Sequence, residues 1–177
     1  MMSSKKPLFR LILAAMFLAL ALLLPFLTGQ NRELGNMLCL MHIPVLLCGF
    51  FCGPWYGAAV GLIAPLLRFV LFGMPPIMPT GVAMSVELAF YGFSAGLLYK
   101  LLPNKKPYIY VALIGAMLIG RIAWGAAQFA LMGLGKTEFG LQAFLTGAFA
   151  KAIPGIALQI VLIPIIVMAL QKYTAKE

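Results

Sequence analysis

Aspartate is absent from this chain of 177 residues, and only four acidic residues and one histidine accompany thirteen lysines and arginines. Charged residues make up 10% of the sequence, whereas a soluble domain carries about a quarter. So few charges exclude a soluble domain. The 63% of hydrophobic residues indicates an integral membrane protein, and no stretch is long enough for a separate soluble domain.

Motifs for catalysis and metal binding are also missing. The sequence has no H-E-x-x-H, no paired glutamates and no serine nucleophile arranged with the histidine, so we predict neither an enzyme nor a cofactor. Cys39, Cys48 and Cys52 lack C-x-x-C spacing, and we interpret them as free, buried thiols rather than as a zinc site with His42. The tripeptide 135–137 resembles the end of a phosphate-binding loop, but the first glycine and the preceding strand are missing. Any ATP-driven work would therefore come from a partner.

The formal net charge is +9, and the basic residues are distributed along the chain as in a membrane protein. One set of alternate segment ends is rich in lysine and arginine, whereas the other ends carry only Arg32 and Lys136, each near a glutamate. This asymmetry predicts that both termini are cytoplasmic and that the number of spans is even. No basic run is interleaved with aromatic residues, so we predict no nucleic-acid partner. The basic residues at the predicted cytoplasmic ends are Lys5, Lys6, Arg10, Lys100, Lys105, Lys106, Lys172 and Lys176.

The apolar segments predict an all-α membrane protein, because a spanning helix needs about 20 residues. Residues 1–177 form a single domain in this interpretation, with six transmembrane helices in contact with membrane lipid. The predicted helices cover residues 8–28, 36–52, 55–72, 81–102, 108–132 and 141–171.

Two charged residues interrupt these apolar segments beside the proline-rich loop 73–80. Arg68 lies late in the third segment and Glu87 early in the fourth, each about two helical turns from the loop at ~1.5 Å per residue. A charge inside a spanning helix costs roughly 2.5–3.5 kcal/mol, so it indicates a function by default. The two side chains could meet below one membrane face. They could lock two helices together or hold a ligand.

Other polar residues fall near the same depth. Under the predicted topology His42, Arg68, Glu87 and Lys151 lie in the outer half of the membrane, and Arg121 lies near its middle. The formal sum of +2 for Arg68, Arg121, Lys151 and Glu87 favours a ligand with a carboxylate or several hydrogen-bond acceptors. Tyr91 and Trp124 could supply flat walls for a heterocycle. The predicted ligand-binding residues are Gln30, His42, Arg68, Glu87, Tyr91, Arg121, Trp124, Gln128 and Lys151.

Several short motifs resemble those of a known family. They are Ala15-x-x-x-Ala19, the stretch 41–49, the connection from Arg68 through Phe-Gly-Met-Pro-Pro to Pro-Thr80, and the tetrapeptide 152–155. Together they resemble the substrate-binding S components of energy-coupling factor (ECF) vitamin transporters.

The resemblance implies a protein of the bacterial plasma membrane that captures a water-soluble vitamin or vitamin precursor from outside. Its partners would be one transmembrane coupling subunit, which the alanine face at Ala15 and Ala19 would meet, and two ATPase subunits. The ligand would lie near the outer surface, held by helices four to six and capped by the first and third outer loops. Riboflavin, pantothenate, pyridoxine and thiamine precursors all remain open.

Two other classes of function compete with this interpretation. In a ligand-free membrane scaffold or accessory subunit, the buried polar residues would only lock helices together. In a membrane-embedded enzyme, a bound compound would be chemically altered.

Overall fold

The computed structural model describes residues 7–28, 37–103, 105–134 and 152–174, and the regular structure of this part is helical, as predicted. Helix α1 continues into a 3₁₀ turn, Leu24–Thr28, and a short π-helical turn, Ile77–Gly81, precedes α4. The helices are α1 Pro7–Leu23, α2 His42–Cys52, α3 Pro54–Phe72, α4 Val82–Leu101, α5 Lys106–Leu134 and α6 Ile153–Thr174.

Five segments of the described part are long and apolar enough to cross a membrane. They are Pro7–Leu27, Pro54–Phe72, Ile77–Leu101, Lys106–Met132 and Ile153–Leu170. Helix α2, with 11 residues, is apolar but shorter than these segments. The prediction of six spans therefore stays a prediction.

Helix α2 is the innermost element of the bundle. All of its residues except Phe51 are buried, as expected for a helix that is apolar on every side. It begins at His42, and a turn at residues 39–41 separates it from the helical residues Met37 and Leu38, so the predicted range 36–52 is interrupted. Cys39 adopts a left-handed backbone conformation with φ 48°, which a right-handed helix cannot accommodate. Pro44 then stands in the first turn, where its missing N–H breaks no helical hydrogen bond.

Glycines allow α2, α3 and α4 to touch through their backbones. A Cβ atom on Gly57 in α3 would lie 2.6 Å from the carbonyl oxygen of Gly92 in α4, and one on Gly96 would lie 2.5 Å from the nitrogen of Pro54. Gly53, Gly57 and Gly61 recur at four-residue spacing, a pattern typical of close helix packing, and Gly57 makes such a contact. Gly53, which starts the same repeat, instead forms the turn between α2 and α3 with φ 103°.

The proline-rich connection places the start of α4 beside the end of α3. Gly73, in the left-handed conformation with φ 70°, ends α3 and donates its N–H to the carbonyl of Phe69. Met78 is extended within the following turn, and the Gly81 N–H donates to the Pro76 carbonyl at 2.9 Å. As predicted, this segment is neither a regular α-helix nor a strand. It sets Glu87 in the second turn of α4.

Candidate functional site

Two helices direct polar side chains at the carboxylate of Glu87 on α4. Its Oε1 atom lies 2.9 Å from Nη1 of Arg121 on α5 and 3.5 Å from Nε2 of His42 at the start of α2. All three side chains are buried. The N–H groups of Arg121 are not aimed at this oxygen, so Glu87 Oε1 has an ion-pair neighbour but no hydrogen-bond donor within the described part of the chain.

Arg68 does not pair with Glu87. Its Nη1 atom donates to the carbonyl oxygen of Leu22 on α1 at 2.8 Å, and its guanidinium lies 5.2 Å from the ring centre of Phe26 and 5.6 Å from that of Phe72. Equal depth along two helices does not place two side chains on facing sides, which is why the two residues do not meet. The ligand contact predicted for Arg68 stays a prediction.

The turn before α2 links α5 and α6. Arg121 Nη2 donates to the Cys39 sulfur at 3.6 Å, and Gln159 Nε2 of α6 donates to the Cys39 carbonyl oxygen at 3.4 Å. The sequence interpretation missed Gln159, which is 1% exposed. Gln159 is an amide side chain within an apolar stretch of α6, and this contrast is the signal by which the sequence could have revealed it. The three cysteines are buried, as predicted, and none of them forms a disulfide within the described part of the chain.

Tyr91 forms a fully buried wall beside His42. The two rings meet edge to face, with centroids 5.2 Å apart and an interplanar angle of 88°. The ring also lies against Gly120 of α5, where a Cβ atom would come within 2.5 Å of Tyr91 Cδ2. Because Gly120 has no side chain, the Tyr91 ring fits against α5 next to Arg121.

These contacts define a polar cluster of six residues: Cys39, His42, Glu87, Tyr91, Arg121 and Gln159. Gln128 is buried and shares the Arg121 face of α5 with Trp124, which is partly buried. Gln30 and Lys151 lie outside the described residues.

Many polar atoms at this site lack a hydrogen bond. Among the described residues, the buried side-chain nitrogens and oxygens without a partner all belong to Gln128 or to the polar cluster. Leaving such an atom unsatisfied costs about 1–3 kcal/mol, so most proteins bury few of them. In the described part no group of three His, Cys, Asp or Glu side chains could hold a metal ion. The arrangement suits an organic ligand with several hydrogen-bonding groups. The atoms without a partner are His42 Nδ1 and Nε2, Glu87 Oε1, Tyr91 Oη, Arg121 Nε, Gln128 Oε1 and Gln159 Oε1.

Comparison with known proteins identifies the family. Residues 9–167 match the family model described as "ECF transporter, substrate-specific component", which confirms the resemblance seen in the short motifs. Comparisons with curated proteins and with solved structures gave no match. The matched range includes every residue of the polar cluster and nearly the whole chain. The chain therefore belongs to the family of substrate-specific components of ECF transporters.

Proposed function

We propose that this protein captures a water-soluble vitamin or vitamin precursor from outside the cell and passes it to an ATP-driven module. Family membership indicates a substrate-binding transport subunit that associates with a membrane coupling subunit and ATPases. The proposal adds the vitamin class, the bacterial plasma membrane and the binding residues. The observation that carries it is the set of buried polar atoms that have no hydrogen-bond partner within the described residues.

The polar cluster favours substrate binding over a scaffold. Residues that only lock helices together would be expected to satisfy one another's hydrogen bonds, because each unsatisfied buried group lowers stability. Here His42 and Tyr91 contact their neighbours without hydrogen-bonding them, and Glu87 Oε1 receives no directed donor within the described residues. A ligand with donors and acceptors would satisfy these atoms on binding.

The predicted topology places the polar cluster toward the outside. His42 begins α2, Glu87 is the sixth residue of α4, and Gln159 is the seventh residue of α6. These positions lie far from the ends that carry Lys100, Lys105 and Lys106, which the positive-inside rule assigns to the cytoplasm. The ligand would then enter from the exterior, past the connections at residues 37–41 and 73–81.

Helix α1 offers the proposed contact with the coupling subunit. Ala15 and Ala19 are exposed on α1, whereas Ala14, Phe17 and Ala21 are buried against the bundle. Small exposed side chains allow a second helix to approach closely within the membrane.

The function can be tested on the purified full-length protein in detergent. Mass spectrometry would identify any compound that copurifies, and thermal melting would be followed against riboflavin, pantothenate, pyridoxine and thiamine. We expect one compound to copurify or to raise the melting temperature, since ligand at 100 times its Kd stabilises by about 2.7 kcal/mol. No ligand in either assay would favour the scaffold. A bound compound recovered in altered form would favour an enzyme.

A further inference from the structure

Two of the four charges that give the formal sum of +2 in the sequence stand side by side in the polar cluster. Arg121 stands beside Glu87, so the two formal charges cancel within the cluster. The guanidinium of Arg68 is directed at the Leu22 carbonyl and at two phenylalanine rings. Within the described residues, the cluster therefore holds no surplus arginine that needs an anion to balance it.

The surroundings of Arg121 disfavour a carboxylate. Bidentate binding of a carboxylate or phosphate uses two parallel N–H groups of the guanidinium fork. One N–H of Arg121 Nη2 donates to the Cys39 sulfur, and Nη1 stands 2.9 Å from the Glu87 carboxylate, whose negative charge repels a second anion at the same place. Within the described residues, Arg121 Nε is buried and has no partner. A ligand anion approaching this fork would also approach the Glu87 carboxylate.

More of the unpartnered atoms are hydrogen-bond acceptors than donors, so a ligand would have to supply mainly donor groups. Glu87 Oε1, Gln128 Oε1 and Gln159 Oε1 are oxygens that can only accept, whereas Arg121 Nε can only donate. His42 and Tyr91 can do either. The amide of Gln159 is oriented by its own bond, because its nitrogen donates to the Cys39 carbonyl. N–H or O–H groups of a ligand would satisfy these oxygens, and anionic oxygens would not.

We propose that the substrate carries no anionic group and is recognised through N–H or O–H donors that face Glu87 and Gln159. The substrate is accordingly an uncharged or cationic polar molecule, not a carboxylate or a phosphate ester. This inference rests on the proposed function, since it takes the polar cluster as the substrate site. It differs from the ligand with a carboxylate that the sequence favours from a charge sum including Lys151, a residue outside the described part of the chain.

Matched compounds that differ in one anionic group test the inference. The full-length protein in detergent would be titrated with nicotinamide and nicotinate, pantothenol and pantothenate, pyridoxine and pyridoxine 5′-phosphate, and thiamine and thiamine monophosphate. We expect the non-anionic member of the pair that binds to have at least a tenfold lower Kd. An anionic member that binds equally or more tightly would overturn the inference and leave the proposed function standing. If no compound binds, the proposed function itself loses its support.

A second measurement ties the preference to Glu87. In Glu87→Gln the negative charge is removed while the shape is nearly kept, so we expect the preference for the non-anionic compound to fall at least fivefold. Lys100→Gln, a charge change on the distant end of α4, serves as the control and should keep the preference. An unchanged preference in Glu87→Gln would show that Glu87 does not exclude anions.

Discussion

At the residue scale, the sequence identified most members of the polar cluster but not their pairings. His42, Glu87, Tyr91 and Arg121 stood out as polar residues in apolar segments, and the structure brings these four together. Which arginine meets Glu87 could not be predicted, because depth along a helix does not specify the direction of a side chain around it. Gln159 was missed because an uncharged amide gives a weaker signal in an apolar segment than a charge does.

The pairing of Arg121 with Glu87 predicts a non-additive effect on stability. Removing one partner of a buried pair leaves an uncompensated charge, which costs about 3–5 kcal/mol, whereas removing both often costs much less. We therefore expect Arg121→Met to lower the melting temperature in detergent more than the double variant Arg121→Met with Glu87→Gln does. A double variant that melts lower than Arg121→Met would mean that the two residues do not stabilise each other.

At the element scale, most helix bounds could be read from the sequence. Prolines and glycines separate the apolar segments, and α3, α4 and α5 agree with their predicted ranges to within two residues at each end. Helix α1 starts one residue before its predicted range and ends at Leu23, and the rest of that range, to residue 28, is the 3₁₀ turn. The predicted range 36–52 is interrupted by a turn at residues 39–41, which could not be predicted because nothing in the sequence marks Cys39 as left-handed. For the last predicted helix, residues 141–151 lie outside the described part.

The backbone contact between α3 and α4 should not tolerate a side chain. In Gly57→Ala the new Cβ would meet the carbonyl oxygen of Gly92, and backbone cannot move aside as a flexible side chain can. We expect a loss of about 1–3 kcal/mol in stability, seen as a lower melting temperature. Gly115→Ala is the matched control, since its Cβ would meet only the end of the Leu98 side chain. Equal melting of the two variants would contradict the close packing.

Arg68 is expected to stabilise the end of α1. The residue three positions after Leu22 is Pro25, which has no N–H to offer in the 3₁₀ turn, and Arg68 donates to the Leu22 carbonyl instead. In Arg68→Met this bond and the contacts with Phe26 and Phe72 are lost, at a cost of about 1.5–3 kcal/mol for the hydrogen bond alone.

We therefore expect Arg68→Met to melt at a lower temperature with ligand affinity within threefold of the wild type. Arg68→Lys should recover only part of the loss, because an ammonium group cannot stack on the rings as the planar guanidinium does. Melting and ligand titration of the same samples provide both readouts. Unchanged melting with affinity reduced more than tenfold would instead assign Arg68 to the ligand site.

At the scale of the whole molecule, composition was sufficient to predict the class of protein. The scarcity of charge and the long apolar segments predicted a helical membrane protein, and the family match supports that assignment. The number of spans was harder to predict. Helix α2 is about 16 Å long at 1.5 Å per residue, against about 30 Å for the hydrocarbon core, and its burial follows from tertiary packing.

If the polar cluster binds the ligand and the exposed face of α1 contacts the coupling subunit, ligand binding and transport can be separated by mutation. Ala15→Trp and Ala19→Trp place bulk on the exposed face of α1, so we expect wild-type ligand affinity but at least a tenfold loss of uptake in cells that contain the complete transporter. Ala126→Trp, on an exposed position of α5, is the control and should support normal uptake. Normal uptake in both α1 variants would remove the coupling role from this face.

The glycine contacts have a consequence for how the residues of the polar cluster can change during evolution. Gly57 and Gly92 join α3 and α4 through main-chain atoms, whereas the polar cluster meets its surroundings largely through side chains. Mutations could therefore exchange the cluster residues over generations without disturbing the frame that holds them. Lineages that inherit the same frame could in this way diverge toward different nutrients.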